Sequence, residues 1–420
     1  MMAVMSALHA SPVVSGDAPC GPSSLVVVVG ASLAGLRACE TLREEGFAGR
    51  IVLVGSEDHP PYDRPPLSKE VLVGKWAPER ALLRQGDLGG LELDFRRGVR
   101  AEALDAAARI VTLGTGEQLA FDAMVVATGA RARSLAAAEG LQGVHVLRTL
   151  DDALGLRAAL AQGSPHVVVA GGGVIGCEVA STCRALGLAV TLVEPQVVPM
   201  LRLLGPSLGA VAARLAGDHG VELRLGVGIE AVEGKGRVRA VRLAGGERIA
   251  CDVLVVGVGA VPETGWLEGS GLVLDDGVLC DERCLAAPGI TAAGDVARWK
   301  SARAGRPLRM EHWTHAGEMG RAAALRLLRR PEDLPVFDPL PYAWSDQFGV
   351  KVQVAGTAAA DDQVHVVDGS LDDYRFVALL GQGDRLSAVV GMRRPRVVMH
   401  YQELLERGAR LDEALASPPA

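Results

Sequence analysis

His166-Val167-Val168-Val169-Ala170-Gly171-Gly172-Gly173-Val174-Ile175-Gly176-Cys177-Glu178 is the stretch that decides the fold. A short β-branched run ends in the spacing G-x-G-x-x-G and continues into a helical pattern, which is typical of a dinucleotide-binding βαβ unit. Gly171 permits the tight turn, Gly173 lets the backbone approach a pyrophosphate, and Gly176 lets the helix pack close to the strand. The phosphates are then expected at the helix N-terminus, where free N–H groups and the helix dipole favour anions.

A second apolar strand, at residues 189–193, ends in an acid, Glu194. A carboxylate at this place accepts hydrogen bonds from the ribose 2′-OH of NADH and repels the 2′-phosphate of NADPH. No arginine occurs in residues 195–199, so NADH is the predicted nicotinamide cofactor. The alternative is a βαβ turn that binds nothing, and the combination of strands, glycines, helix and acid argues against it.

The same unit occurs earlier in the chain. Residues 26–35 read V-V-V-V-G-A-S-L-A-G, and a second strand at residues 51–56 ends at Glu57. Ser32 stands where the middle glycine is expected and places a side chain near the pyrophosphate, which weakens the match. Two nucleotide units in one chain predict two nucleotides, a bound FAD and a diffusing NADH.

Composition narrows the class of protein. The chain has 420 residues and a net charge of −7, so we expect two or three domains and no general nucleic-acid binding. Its seven cysteines are scattered and odd in number, which favours a reducing cytoplasm over a disulfide framework. Apolar runs are too short to cross a membrane. Residues 1–24 contain no Lys or Arg and are therefore not expected to be a signal peptide. They are predicted to be a disordered extension, and the alternative is a mis-set start codon ahead of the first strand.

Along the chain the pattern alternates between strand and helix. We expect a helix at residues 34–45, a β-meander at 93–119, a helix at 151–160, another near 208–215 and a second meander at 236–249. Buried strands end in glycine turns at residues 121–131 and 252–262. A proline- and acid-rich linker at 331–341 precedes alternating strands and a closing helix at 397–407, which predicts a small α+β domain.

The segment P-Y-D-R-P-P-L-S-K at residues 61–69, following the first G-x-S-x-A-G, resembles the oxygenase-coupled, NADH-dependent ferredoxin reductases. Further matches are A-T-G at 127–129, T-A-A-G-D at 291–295, E-H-W at 311–313 and W-S-D-Q at 344–347. The resemblance implies an α/β fold with two Rossmann-like domains and a small α+β C-terminal domain. It implies a discontinuous FAD domain (25–138 and 261–330), an NADH domain (139–260) and a C-terminal domain (331–420).

The resemblance also assigns cofactor contacts. Lys69 is expected close to the flavin ring, Asp295 at the ribityl chain, and Trp313 and Trp344 beside the isoalloxazine. Together with the first glycine motif, the expected FAD residues are Gly30, Ser32, Ala34, Gly35, Glu57, Arg64, Pro65, Lys69, Ala127, Thr128, Gly129, Arg131, Gly294, Asp295, Glu311, His312, Trp313 and Trp344. The expected NADH residues are Gly171, Gly173, Val174, Ile175, Gly176, Glu178, Glu194, Gly257, Val258 and Gly259.

The implied reaction passes hydride from NADH to FAD and then single electrons to an iron–sulfur ferredoxin, because flavin can exchange electrons in both ways. Lys69 and Glu178 are the candidate catalytic residues, as a charge pair near flavin N5 that places the nicotinamide. The alternative for Glu178 is that it only complements a helix N-terminus.

Disulfide reductases of this architecture carry a C-x4-C soon after the first ribose acid, and no cysteine lies between Glu57 and Val125. Cys280 and Cys284 have an i, i+4 spacing but lie elsewhere in the chain, and Cys177 and Cys183 are expected to be packing residues. No metal site is predicted, because no cysteine pair has His partners at metal-ligand spacing.

The expected partner is a small acidic ferredoxin that supplies an oxygenase and docks transiently on a basic rim. The candidates for that rim are Lys300, Arg303, Arg306, Arg309, Arg393, Arg394 and Arg396. Two alternatives stay open: another acceptor (rubredoxin, ascorbate radical or oxygen), and a flavoprotein that senses NADH through dimerisation, like apoptosis-inducing factor. The chain is expected to be a monomer or a homodimer.

Overall fold

The computed structural model describes residues 20–21 and 23–419 of the chain. The predicted extension therefore lies outside the described residues at positions 1–19 and 22. At the described position Cys20, the backbone amide donates to the carbonyl of Leu327 over 2.9 Å.

The first part of the chain builds a parallel sheet from β-branched strands. Strands β1, β2, β3 and β7 run parallel in the order β7-β1-β2-β3, and β4, β5 and β6 form an antiparallel meander. The predicted meander at 93–119 was wrong at its start, because its first strand pairs with β2 and extends the parallel sheet. The elements are β1 (Leu25–Val29), α1 (Leu33–Glu44), β2 (Arg50–Gly55), β3 (Leu93–Arg97), β4 (Ala101–Asp105), β5 (Ile110–Leu113), β6 (Gln118–Ala120), β7 (Ala123–Val126) and β8 (Ala130–Ala132).

The second part repeats the pattern as a five-stranded parallel sheet in the order β12-β11-β10-β16-β9. The helix predicted near 208–215 begins earlier, at Leu201, and is interrupted at Gly205, which has a φ of 70° and precedes Pro206. The elements are β9 (Val144–Val146), α2 (Leu150–Leu160), β10 (Val167–Ala170), α3 (Val174–Ala185), β11 (Val190–Glu194), α4 (Leu201–Asp218), β12 (Glu222–Leu225), β13 (Ile229–Gly234), β14 (Val238–Leu243), β15 (Arg248–Ala250) and β16 (Val253–Val256).

The chain then returns to the first sheet. Strand β20 pairs in parallel with β7, and β19 covers its outer edge; β17 pairs with β8 where the chain crosses between the two sheets. Helices α5 and α1 approach so closely at Gly320 that a Cβ there would lie 2.3 Å from the carbonyl oxygen of Ala34. The elements are β17 (Ala260–Pro262), β18 (Val278–Cys280), β19 (Leu285–Ala287), β20 (Ile290–Ala292), β21 (Ala297–Ser301), β22 (Arg306–Leu308) and α5 (Trp313–Leu328).

The last part is an antiparallel sheet in the order β23-β24-β27-β26-β25, covered by α6. Its inner face packs on the second sheet's helices, since Val352 and Phe376 share a hydrophobic cluster with Leu156 and Val179. No helix in the described part of the chain is long and apolar enough to cross a bilayer. The elements are β23 (Tyr342–Gln347), β24 (Val350–Gly356), β25 (Gln363–Ser370), β26 (Arg375–Gln382), β27 (Arg385–Met392), α6 (Pro395–Glu406) and α7 (Leu411–Leu415).

Candidate functional site

The turn between β10 and α3 has no room for side chains on its packed side. A Cβ at Gly176 would lie 1.9 Å from the carbonyl oxygen of Gly171, and a Cβ at Gly171, which has a φ of 101°, would lie 2.3 Å from that of Gly257. Gly173 instead faces open space, since a Cβ there would meet no atom within 4 Å, and it caps α3 without a side-chain hydrogen bond. The open face of this turn therefore presents uncapped helix N–H groups to an incoming anion.

Glu194 lies at the end of β11 beside this turn. Its carboxylate accepts hydrogen bonds from the amides of Gly172 (2.5 Å) and Gln196 (2.8 Å). Val174 begins α3, and the side chains of Ile175 and Val258 remain exposed, at 41% and 38%. Glu194 therefore stands where a ribose is expected, and two apolar side chains flank the same glycine loops.

The turn between β1 and α1 is built in the same way. A Cβ at Gly35 would lie 1.8 Å from the carbonyl oxygen of Gly30, and one at Gly30 would lie 2.1 Å from that of Ala127. Ser32 is the N-cap of α1 and makes no side-chain capping bond, so it leaves the first-turn N–H groups available. Ala34 and Gly294 meet across this turn, because a Cβ on Gly294 would lie 3.0 Å from that of Ala34.

Glu57, in the turn that follows the second strand, is held by two neighbours. Arg64 Nη2 lies 2.8 Å from Glu57 Oε1, and the hydroxyl of Tyr62 donates to the other carboxylate oxygen. Arg64 also reaches the side chain of Ser32 (3.4 Å), and Pro65 opens the 3₁₀ turn Pro65–Ser68. These contacts bring the proline-rich segment against the expected ribose acid and the first glycine turn.

Arg148 is a residue of this cleft that no motif indicated. Its guanidinium lies 2.6 Å from Asp295 Oδ2, donates to the carbonyl of Ala130, and approaches the turn at Gly129. Its own carbonyl accepts from Arg64 (2.5 Å). The only local signal was the capping box formed by Thr149 and Asp152, which marks the start of α2 but says nothing about the arginine before it.

The two glycine turns that follow β7 and β16 are tied together. Thr128 Oγ1 donates to the carbonyl of Glu263 (2.9 Å), and Arg131 lies 3.5 Å from the Glu263 carboxylate. Gly129 and Gly259 have φ angles of 69° and 106°, which favour glycine. This connection places the turn expected at FAD beside the turn expected at NADH.

Lys69 and Glu178 are brought together from distant parts of the chain. Lys69 Nζ lies 2.8 Å from Glu178 Oε2, and the two side chains are only 15% and 3% exposed. The same carboxylate accepts hydrogen bonds from Ser68 Oγ (2.5 Å), Ser345 Oγ (2.9 Å) and the amide of Asp346 (3.2 Å). Glu178 therefore does more than complement a helix N-terminus.

The aromatic residues expected at the flavin lie close together at the start of α5. Trp313 donates to Asp63 (2.8 Å) and packs edge-on against Trp344, with ring centroids 6.0 Å apart. Glu311 pairs with Arg309 (2.6 Å). His312 caps the helix, and its buried Nδ1 has no hydrogen-bond partner among the described residues; burial lowers its pKa.

Two of the arginines predicted for the basic rim form ion pairs with neighbouring carboxylates. Arg309 pairs with Asp276 as well as Glu311, and Arg394 lies 2.7 Å from Asp368, so neither is a free cation. This corrects their inclusion in the rim, because neighbouring carboxylates neutralise them. The remaining candidates are all exposed: Lys300, Arg303, Arg306, Arg393 and Arg396.

The cysteines are structural. Six of the seven are buried thiols outside any disulfide, and burial raises the pKa of Cys177 and Cys183 to about 12. Burial also raises the pKa values of Cys280 and Cys284, which disfavours the thiolate that a redox pair requires. Among the described residues, no group of three or more His, Cys, Asp or Glu side chains is placed to hold a metal ion.

These residues fit the two nucleotides. Each glycine turn is closed on its packed side and leaves its helix N-terminus uncapped, as a pyrophosphate requires. Each following strand ends near a carboxylate that can accept from a ribose, and His312 offers an unpartnered nitrogen in the first cleft, as far as the described residues show.

Comparisons with known proteins agree with this geometry. A family model described as pyridine nucleotide-disulphide oxidoreductase matches residues 24–320, and one described as reductase C-terminal matches residues 342–420. The chain is 36% identical over 391 residues to the ferredoxin reductase component of chlorobenzene dioxygenase from Cupriavidus sp. (strain PS12), covering 93% of this chain and 94% of that protein.

Two further similarities extend over nearly the whole chain. The ferredoxin–NAD(+) reductase component of the biphenyl dioxygenase system of Paraburkholderia xenovorans (strain LB400) is 34% identical over 409 residues, covering 94% of this chain and 99% of that protein. The crystal structure of the covalent putidaredoxin reductase–putidaredoxin complex contains a chain that superposes with a TM-score of 0.87 at 32% identity, covering 92% of this chain and 93% of that one.

Proposed function

The chain belongs to the pyridine nucleotide-disulphide oxidoreductase family, and we propose that it is an NADH-dependent, FAD-containing reductase that passes electrons to an iron–sulfur ferredoxin of an oxygenase system. The observation that carries the proposal is the buried Lys69–Glu178 pair, which joins the first nucleotide unit to the helix of the second. The names of the two dioxygenase reductase components support the choice of acceptor.

FAD, when bound, accepts two electrons as hydride and releases them one at a time, which matches NADH to a one-electron acceptor. The chain's own residues bind and orient. The uncapped N-termini of α1 and α3 hold the two pyrophosphates, and Glu57 and Glu194 accept from the two riboses. Lys69 and Glu178 hold the nicotinamide side of the cleft in place.

The proposed division of the chain follows the strands. Residues 25–138 and 261–330 form the FAD domain, residues 139–260 the NADH domain, and residues 331–420 the C-terminal domain. The return of β20 to pair with β7 supports the discontinuous FAD domain. The scattered, odd number of cysteines, six of them buried thiols outside any disulfide, supports a reducing cytoplasm as its location. The chain acts as a monomer or homodimer.

The proposed ferredoxin contact is transient and electrostatic. Lys300, Arg303 and Arg306 are exposed residues of the β21–β22 hairpin, and Arg393 and Arg396 are exposed residues of the C-terminal domain. These cations form the docking rim for an acidic partner, since complementary charge steers encounter. A thiol acceptor is disfavoured, because no cysteine lies between Glu57 and Val125 to relay electrons to it.

An anaerobic titration tests the proposal. The purified holoprotein should be yellow, and its flavin absorbance should bleach at low NADH but only at much higher NADPH. Reduced protein should then reduce an oxygenase ferredoxin faster than rubredoxin, ascorbate radical or oxygen. A colourless protein, or equal bleaching by both cofactors, contradicts the assignment of the nucleotide clefts. A long-lived NAD⁺ charge-transfer complex with slow reoxidation by every acceptor would favour the NADH-sensing alternative.

A further inference from the structure

The Glu178 carboxylate is a junction of three parts of the chain. Ser68 and Lys69 approach from the proline-rich segment of the FAD domain, Glu178 belongs to α3 of the NADH domain, and Ser345 and Asp346 belong to β23 of the C-terminal domain. The carboxylate is buried, so water does not replace a contact that is lost.

The direction of the Ser345 hydrogen bond is determined by its other partner. Gln347 Nε2 lies 2.8 Å from Ser345 Oγ and can only donate, so the serine oxygen accepts there. The serine proton is then left for Glu178 Oε1, 2.9 Å away. Ser345 is fully buried and Gln347 nearly so, which keeps both side chains in this arrangement.

The same glutamine reaches the nucleotide turn. Gln347 Nε2 also donates to Met200 Sδ (3.2 Å), and the amide of Met200 donates to the carbonyl of Gly172 (2.8 Å). A continuous set of contacts therefore runs from the glycine turn through Gln347 and Ser345 to the Lys69–Glu178 pair.

We propose that Ser345, oriented by Gln347, is a positioning residue through which the C-terminal domain holds the Glu178–Lys69 pair in the geometry that aligns the nicotinamide. Ser345 donates to Oε1 while Lys69 and Ser68 occupy Oε2, so the carboxylate cannot rotate without breaking a buried bond. The inference rests on the proposed function, because it assigns Ser345 a role in hydride transfer from NADH to the bound flavin.

Ser345→Ala is the test, and Ser181→Ala is its matched control. Ser181 also joins α3 to the β23 end of the C-terminal domain, accepting from the amide of Phe348 (2.7 Å), and this bond does not involve Glu178. Both variants lose one serine hydroxyl at the same domain boundary. Only Ser345→Ala removes a donor from the charge pair.

Each holoprotein is mixed anaerobically with NADH in a stopped-flow instrument, and NAD⁺ binding is measured by calorimetry. In Ser345→Ala we expect the flavin-bleaching rate at saturating NADH to fall about tenfold, because small misplacements of reacting groups are costly in rate. The NAD⁺ dissociation constant should change less than about threefold, since the pyrophosphate and ribose contacts remain. Ser181→Ala should stay within about twofold of the parent in both measurements.

Equal rates in Ser345→Ala and Ser181→Ala overturn the inference while leaving the reductase assignment intact. A parent protein that NADH does not bleach overturns the assignment and the inference together. If Ser345→Ala yields no folded holoprotein, Gln347→Leu is measured instead, because it leaves the serine in place but removes the donor that fixes the direction of its hydroxyl. That variant should slow bleaching about threefold, and an unchanged rate refutes the proposal.

Discussion

Lys69→Met and Glu178→Gln, made singly and together, measure the energy of the buried ion pair. At an effective dielectric constant of about 20, unit charges about 3 Å apart attract by roughly 6 kcal/mol, and desolvation offsets a large part of this. Close charge pairs measured in other proteins couple by about 1.5–7 kcal/mol. Because Lys69 keeps some exposure and Glu178 has three further donors, we expect a coupling of about 2–3 kcal/mol.

The two single variants should not be equal. Lys69→Met leaves a buried carboxylate with hydrogen bonds but no counter-charge, whereas Glu178→Gln leaves a partly exposed ammonium facing an amide. We therefore expect Lys69→Met to lower the free energy of unfolding by about 3 kcal/mol and Glu178→Gln by about 2 kcal/mol. The double variant should lose only about 2–3 kcal/mol, well below the sum.

The assay is urea unfolding of the FAD-saturated proteins followed by circular dichroism, with Ser181→Ala as the control for lost contact at the same boundary. A double variant whose loss equals the sum of the single losses within about 0.5 kcal/mol refutes the reasoning. The two charges would then be neighbours without a net interaction, and their role in holding the nicotinamide would lose its energetic basis.

Glu194→Ala should lower the preference for NADH over NADPH by at least about tenfold, measured as the ratio of the two kcat/KM values with ferricyanide as acceptor. The substitution removes a charged acceptor for the 2′-OH and also removes the repulsion of a 2′-phosphate. An unchanged ratio would mean that the ribose does not bind at Glu194. The double variant Arg303→Glu with Arg306→Glu should raise the KM for ferredoxin about tenfold at low salt and leave ferricyanide reduction unchanged. Equal effects on both acceptors would show that these two arginines are not part of a ferredoxin docking surface. Burial, with His312 nearby, lowers the pKa of His315 to about 3. As the pH falls below about 6.5, this histidine therefore becomes protonated in the unfolded chain while it stays neutral in the folded chain. The contribution of this neutral histidine is complete above pH 6.5 and is lost by about 1.4 kcal/mol per pH unit as the pH falls toward 3. His315→Phe keeps an aromatic ring against Trp299. It should reduce the slope of the unfolding free energy against pH below pH 6.5, and an unchanged slope would show that other groups cause the loss.

Local sequence was sufficient for most of the helices and strands around the two glycine motifs, although the helix predicted near 208–215 begins at Leu201. The G-x-G-x-x-G pattern at 171–176 places its first and last glycines where the structure shows contacts that no Cβ would permit. The demand on the last glycine is local, because a Cβ at Gly176 would meet the carbonyl of Gly171, whereas the demand on Gly171 comes from the carbonyl of Gly257 in a distant part of the chain. The acids Glu57 and Glu194 follow from the same local logic, since Glu194 ends β11 and Glu57 lies in the turn directly after β2, both strands that the β-branched pattern already marks.

Only the tertiary structure decided which distant residues meet. Lys69 and Glu178 are separated by 109 positions, and their pairing was expected from the family resemblance and not from a local pattern. Ser345 lies 167 positions beyond Glu178, and only the structure brings it to the same carboxylate. The strand at Leu93–Arg97 looked like part of a meander until its pairing with β2 was known. Arg309 and Arg394 looked like free cations until Asp276 and Asp368 were found beside them. Periodicity determines the type of each element, whereas pairing and neutralisation depend on which surfaces the folded chain brings together.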